Sequence, residues 1–236
     1  MYQFRSVNFS ANDKSLISIC FGRSRMNDKN MKAEILLICQ LRNNFMLSKE
    51  EEDTIKSGDL LREAENRAIS ALSGFYNKYF NLTINPFNSV MYCNYLYWVS
   101  HLLYRNGAIY LAEKVYYLNK MLNLVELFYE IEFPDIWSCE HPIGSVMGRA
   151  KYGNYFFYYQ GCTVGGNRHQ GKLQYPIIGE HVTMFSDSKI LGNSHIGNNV
   201  ILAANACVIN QDVPNNYIVF GQSPNIVLKK LIMEGD

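Results

Sequence analysis

From Ile178 to Val208 every sixth residue is aliphatic or methionine: Ile178, Met184, Ile190, Ile196, Leu202 and Val208. A period of six matches neither the 3.6-residue turn of a helix nor the two-residue alternation of a strand. It matches a stacked solenoid of the parallel β-helix type, with one hexad on each side of a triangular coil. The hexads read IGEHVT, MFSDSK, ILGNSH, IGNNVI, LAANAC and VINQDV. Four places after each bulky residue stands a small or β-branched one: Val182, Ser188, Ser194, Val200 and Ala206, until Asp212 breaks the run. One bulky and one small inward residue per side is what a narrow, close-packed interior accepts. Six such hexads predict two coils.

The 236 residues suffice for one large domain or two small ones, and the formal net charge is +1. That balance gives no electrostatic case for nucleic acid or for an acidic membrane surface. Six cysteines without a CxxC spacing predict free thiols and a reducing, cytoplasmic compartment. The N-terminal MYQFRSVNFS lacks the basic and apolar regions of a signal peptide. The apolar stretch 90–104 is interrupted by Asn94 and His101, and it is too short and too polar to span a bilayer.

Upstream of the hexads the pattern is helical. Residues 1–30 show weak periodicity, compatible with short strands or loop. The segment 32–45 is rich in helix formers. Ser48 with Glu51 fits a capping box, predicting a helix over 49–73 that ends at Gly74. An aromatic-rich helix is expected over 88–105, stopped by Asn106-Gly107, with another over 108–124. The solenoid is expected from Val125. Its first coils, over 126–166, are expected to be irregular, since they carry aromatics such as those of 155–159 in place of hexads. The polar stretch NRHQGKLQ (167–174) reads as a loop extruded from the coils. The fold class expected is thus α+β, with a helical domain over 1–124 followed by a β-helix domain with a C-terminal tail over 125–236.

Four stretches resemble the hexapeptide-repeat acyltransferases, and among them the serine O-acetyltransferases. EHPIGSVMG (140–148) is similar to the family's DHxTGxVxG, and QGCTVGG (160–166) to its QxVTLGG. YPIIGEHVTMFSDSKILGN (175–193) runs without gaps against its HPKI to ILGN segment, and VFGQSPNIVLKK (219–230) resembles its AGxPAxxV ending. HLLYRNG (101–107) resembles the helix end that precedes the first coil in that family. The resemblance covers roughly residues 90–230; it implies a left-handed β-helix, an acetyl-CoA-dependent O-acetyltransferase activity and a homotrimer, possible as a dimer of trimers, with active sites between subunits.

Acetyl transfer from a thioester to a hydroxyl needs a base for the hydroxyl proton, and a neutral histidine backed by a carboxylate suits that near pH 7. The resemblance assigns this base to His141. Counting back fifteen places without gaps gives Glu126 as its carboxylate partner, with Glu130 and Asp135 as competitors. Glu140 matches a substrate-contacting acid of the family. Small residues at Ser186, Ala203 and Ala204 match the positions where pantetheine approaches the backbone, and Lys189, Lys229 and Lys230 are candidates for the CoA phosphates. No metal is expected. His181 and His195 fall at outward positions.

One departure shapes the acceptor. The family's Arg-His pair before Pro-Lys-Ile is replaced here by Gln174-Tyr175, whereas Arg168 and His169 stand six residues earlier. A guanidinium is the natural bidentate clamp for an amino-acid carboxylate. Its loss points to a sugar hydroxyl of a surface polysaccharide, stacked on Tyr155, Tyr158, Tyr159 or Tyr175, as the acceptor. L-serine held by Arg168 and His169 is the alternative. Further rivals are a catalytically silent assembly subunit and a γ-class carbonic anhydrase, which uses the same solenoid.

Overall fold

The computed structural model describes residues 32–57, 59–75, 83–169 and 171–231. The weak periodicity read over 1–30 lies outside the described residues. Among them, five helices precede sixteen strands: α1 (Ala33–Asn44), α2 (Lys49–Lys56), α3 (Leu60–Ser73), α4 (Ser89–Arg105) and α5 (Ile109–Asn123). The capping box is present. The Ser48 hydroxyl accepts the Glu51 N–H at 3.1 Å, and the Glu51 carboxylate accepts the Ser48 N–H at 2.8 Å. The single helix expected over 49–73 is two. Ser57 is extended, with φ −73° and ψ 141°, and α3 starts after Asp59. Ser-Gly-Asp is a run of weak helix formers, two of which bind backbone more readily than they propagate a turn.

The strands wind into a left-handed parallel β-helix with three sides. The first side stacks β1 (Glu126–Leu127), β3 (Val146–Met147), β6 (Thr163–Gly165), β11 (Lys189–Leu191) and β14 (Cys207–Ile209). The second stacks β2 (Trp137–Cys139), β5 (Phe156–Tyr158), β10 (Thr183–Met184), β13 (Ile201–Leu202) and β15 (Tyr217–Phe220), closed by antiparallel β16 (Val227–Lys230). The third stacks β4 (Lys151–Tyr152), β9 (Ile177–Ile178) and β12 (His195–Ile196). A two-stranded hairpin, β7 (Asn167–His169) with β8 (Lys172–Gln174), leaves the corner between the first and third sides. The segment read as a loop is therefore ordered by its own ladder.

In the regular coils each residue pairs with the one eighteen places on: Ile177 with His195, Thr183 with Ile201, Lys189 with Cys207. The hexad residues Ile178, Met184, Ile190, Ile196, Leu202 and Val208 all point inward, as do Val182, Ser188, Ser194, Val200 and Ala206. The buried hydroxyls do not go unpaired: Ser194 Oγ donates to the Leu191 carbonyl at 2.8 Å, and Ser188 Oγ lies 3.6 Å from Cys162 Sγ. The outer corners take left-handed backbone at His181, Asn199 and Asn216, and again at Asp187 and Asn205. Asn side chains stitch these corners between coils, as from Asn198 N–H to Asn215 Oδ1 at 2.8 Å. Asn and Asp tolerate this region better than other residues with a Cβ.

The early coils keep the winding but change the filling. Trp137, Phe156 and Tyr158 replace aliphatic residues inside, and the Phe133 ring stacks on Trp137 at 4.4 Å. Helix α4 closes this end. Residues 91–103 of it are all buried, and Tyr97 packs edge-on to Trp137 while its hydroxyl donates to the Ile131 carbonyl at 2.6 Å. His101 is buried there, with Nδ1 bonded to the Tyr129 carbonyl at 2.8 Å. No helix among the described residues is long and apolar enough to cross a membrane.

Replacing Ile190, fully buried between Val164 and Val208, by alanine should cost about 2–5 kcal/mol, read from chemical denaturation. Acid should loosen the helical layer. Hydrogen bonding to Lys114 holds the Glu51 carboxyl below its usual range, and Arg42, then Lys56, does the same for Glu52. Their stabilisation is complete above the unfolded carboxylate value of about 4.3 and is lost as pH falls through the lowered folded values. Amide exchange in α1 and α2 should accelerate below about pH 4, and less so in Glu52→Gln.

Candidate functional site

The corner between the second and first sides sets the site. In three successive coils four residues turn this corner: 159–162, 185–188 and 203–206. In the coil beneath them six do, 140–145, and the extra pair is His141-Pro142. Hence Glu126 pairs with Val146 twenty residues on rather than eighteen. His141 sits in left-handed backbone, φ 50°, and its side chain is 74% exposed. The bulge pushes the imidazole out of the coil without breaking the ladder on either side. The Glu140 N–H still donates to the Tyr158 carbonyl at 2.9 Å, and the Gly144 N–H to the Leu124 carbonyl at 2.8 Å.

The carboxylates around it divide as follows. Glu140 Oε1 lies 3.9 Å from His141 Nε2. Glu126 occupies the expected place on the first side, one coil below Val146, but its carboxylate binds Lys120 Nζ at 2.7 Å. Lys120 belongs to α5, which runs directly into β1, so the ion pair follows from the chain path. Glu130 is paired with Arg149 at 2.9 Å, and Asp135 is exposed. Glu126 thus lies on the strand one coil below, while among the described residues the carboxylate within 4 Å of the imidazole is the adjacent Glu140.

Above His141 the same corner carries Ser186 and, one coil on, Ala203 and Ala204. The Asn205 N–H bonds to the Ser186 carbonyl at 2.9 Å, which fixes this stacking. Ala204 is exposed, so the backbone is open to a ligand here. Lys189 stands on the first side and turns its Nζ to the Asp187 carbonyl at 2.8 Å. Lys229 and Lys230 are exposed on β16 at the far end of the second side.

At the opposite corner of the first side, Arg168 is exposed on the hairpin, opposite Leu173, and His169 pairs with Lys172 through the backbone. Tyr175, at the hairpin base, packs over Gly166. A Cβ on Gly166 would stand 2.8 Å from the Tyr175 ring, so this close approach requires glycine. Nearby, the Arg149 guanidinium holds Glu130 at 2.9 Å. Sequence reasoning passed over Arg149, because its partner lies nineteen residues before it. His181 and His195 are exposed as expected, the former stacked on Tyr155 at 4.3 Å, the latter 3.0 Å from Asp212. Among the described residues no three His, Cys, Asp or Glu side chains group as a metal site.

No protein-family model matches the chain. Over 130 residues it is 32% identical to a serine acetyltransferase of Staphylococcus epidermidis, covering 55% of this chain and 61% of that protein. Over 132 residues it is 30% identical to a serine acetyltransferase of Synechococcus elongatus, covering 56% and 54%. The chain thus matches only about half to three fifths of the length of these relatives. The serine acetyltransferase of Vibrio cholerae superposes with a TM-score of 0.68 at 19% identity, covering 95% of this chain and 88% of that one. A serine acetyltransferase in complex with CoA superposes with a TM-score of 0.62 at 17% identity, covering 93% and 92%. The chain is thus similar to serine acetyltransferases, which are members of the hexapeptide-repeat acyltransferase superfamily.

Within that superfamily the relatives overturn the polysaccharide acceptor expected from the missing arginine, since they are serine acetyltransferases. The aromatics invoked for stacking a sugar are also engaged. Tyr158 is fully buried, Tyr155 lies on His181, and Tyr159 stacks on Phe185 at 5.1 Å. Aromatic residues at 155–159 are core and corner packing of the early coils, a use that residue type alone does not distinguish from ligand stacking.

Proposed function

We propose that the chain is a serine O-acetyltransferase, moving the acetyl group of acetyl-CoA to the hydroxyl of L-serine. The observation that carries this reading is His141, set out on a two-residue bulge of an otherwise regular corner and followed upward by the small residues Ser186, Ala203 and Ala204. The similarity to serine acetyltransferases supplies the acceptor.

The chemistry follows from these groups. The serine oxygen attacks the thioester carbonyl while His141 takes its proton, and the C–S bond breaks as the tetrahedral intermediate collapses. The departing thiolate then receives the proton from the imidazolium, leaving O-acetylserine and CoA. Glu140, 3.9 Å away, is the carboxylate placed to orient the ring or the acceptor. Glu126, ordered by Lys120 on the coil below, is the second acidic group of this side. Small side chains at the stacked corners let the thioester-bearing arm lie against backbone N–H and C=O groups, and exposed Lys189, Lys229 and Lys230 suit its phosphates.

The assembly we propose is a homotrimer. Its support is the apolar surface on and beside the first side, where Ile143, Val146 and Ile177 are 58%, 37% and 41% exposed in the single chain. We place the protein in the cytoplasm. Cys93 and Cys139 face each other as thiols at 3.8 Å without a bond between them, as a reducing compartment maintains.

Asparagine is the sharper replacement for His141, because it accepts left-handed backbone where alanine is strained. His141→Asn should lower turnover about 10²- to 10⁴-fold, some 3–5 kcal/mol of barrier, with the melting temperature nearly unchanged. The measurement is free-thiol release from acetyl-CoA with L-serine. Unchanged turnover in this variant would remove His141 as the base, and no serine-dependent release by the unaltered protein would remove the reaction.

A further inference from the structure

Side chains three, four and seven places apart share one face of a helix. On α5 such a set is Tyr110, Glu113, Lys114 and Tyr117. This face fronts a cavity of about 410 Å³ in the helical layer. Its other walls are Phe45, just after α1, Tyr116 of α5, and Phe128 and Tyr129 in the turn after β1. None of these residues has a part in the proposed acetyl transfer.

Six aromatic rings thus meet at one opening, and several meet at steep angles. Tyr116 stands at 85° to Phe128 and 76° to Tyr129, with centroids 5.5 and 6.0 Å apart. Phe45 stands at 73° to Tyr117, 6.2 Å away. Flat stacking would hide ring faces against one another, whereas walls near right angles leave faces available from more than one direction. Tyr110 and Tyr117 are 81% and 54% exposed, so little protein covers them. An aromatic face is the negative part of the ring's quadrupole, and it attracts a cation.

The charges at the cavity have the same sense. Lys114 is already engaged, with Nζ bonded to the Glu51 carboxylate and to the Met46 carbonyl at 3.2 Å. Glu113 accepts from the Tyr129 hydroxyl at 3.4 Å, and among the described residues no cation pairs with it. One uncompensated carboxylate therefore stands beside the rings. It repels an anion and gives nothing to a neutral apolar group. A guanidinium or primary ammonium brings several N–H donors that need acceptors out of water, and this largely aromatic wall has few. A quaternary ammonium needs none, since its charge is spread over methyl groups that pack against rings.

We propose that this cavity binds a small quaternary ammonium compound of the choline type, with the aromatic rings as its cage and Glu113 as its counter-charge. The site shares no residue with the His141 corner and does not depend on the identity of the acetyl acceptor.

The test is calorimetric titration of the full chain with choline and with its neutral carbon isostere, in which a tert-butyl group replaces the trimethylammonium. Choline should bind saturably, and the isostere about 5- to 30-fold more weakly, the range of a cation–ring contact taken out of water. Tyr117→Ala should weaken choline by a similar factor of about 5- to 30-fold, while Tyr117→Phe, which keeps the ring face, should hold it. Glu113→Gln should weaken choline and reduce the salt dependence of its binding. Both side chains are exposed, so the variants should fold, which thermal denaturation checks. Absence of saturable choline binding, or equal binding of the isostere, would overturn the assignment. So would a Tyr117→Ala variant that binds choline unchanged but no longer associates with itself in sedimentation, since that would make this face a contact between copies. No readout here uses acetyl-CoA, so failure of this inference leaves the acetyl-transfer reading standing.

Discussion

Closure of the regular coils on eighteen residues governs the rest of the molecule. Parallel strands can stack in register only if the chain returns to the same side after a fixed number of residues, and the ladders Ile177 to His195 and Lys189 to Cys207 keep that count. A one-residue slip inside a strand would turn Ile190 outward and Lys189 inward. Length can therefore change only at corners. The described structure changes it there: two residues at His141-Pro142, and eight in the hairpin 167–174, which lengthens the step from Thr163 to Lys189 to twenty-six. These two insertions bracket the first side, and the proposed chemistry lies between them. Function has been added where the fold is indifferent to length.

The helical layer depends on the same constraint. The first coils have too little regular sequence to be filled by aliphatic hexads alone, and Trp137, Phe156 and Tyr158 fill them instead. Aromatic side chains bury much area but leave an uneven end, which α4 covers with Tyr97 and Trp98. Cys93 of α4 meets Cys139 of β2 with both thiols buried, and hydrogen bonding to Cys139, then burial, pushes the Cys93 thiol well up in pKa. Such a thiol is packing material and not a nucleophile.

Period and packing were legible in the sequence to different depths. The hexads at 178–213 revealed both the winding and the inward residues, because each side repeats one local requirement. His141 was found through its surrounding motif, and its bulge is visible only when the corners are counted against one another. The helix over 49–73 was read as continuous because Ser57-Gly58-Asp59 is a short interruption in a strongly helical stretch. The acceptor was misread because a missing arginine in one segment says nothing of the side chains that coil stacking brings together from others. Arg149 meets Glu130 through coil stacking, a contact nineteen residues apart that no local pattern encodes.

The last strand carries a consequence of its own. A parallel solenoid ends in unpaired N–H and C=O groups, and an open end of this kind is a template for another chain to continue. Here the chain reverses after Gly221 and lays β16 antiparallel along β15, pairing Tyr217 with Lys230 and Phe220 with Val227. The new outer edge on this side carries Lys229 and Lys230, whose charges resist a further strand. The opposite end is sealed by α4. The molecule thus stops its own repeat at both ends, so that coils do not propagate from copy to copy into a fibre.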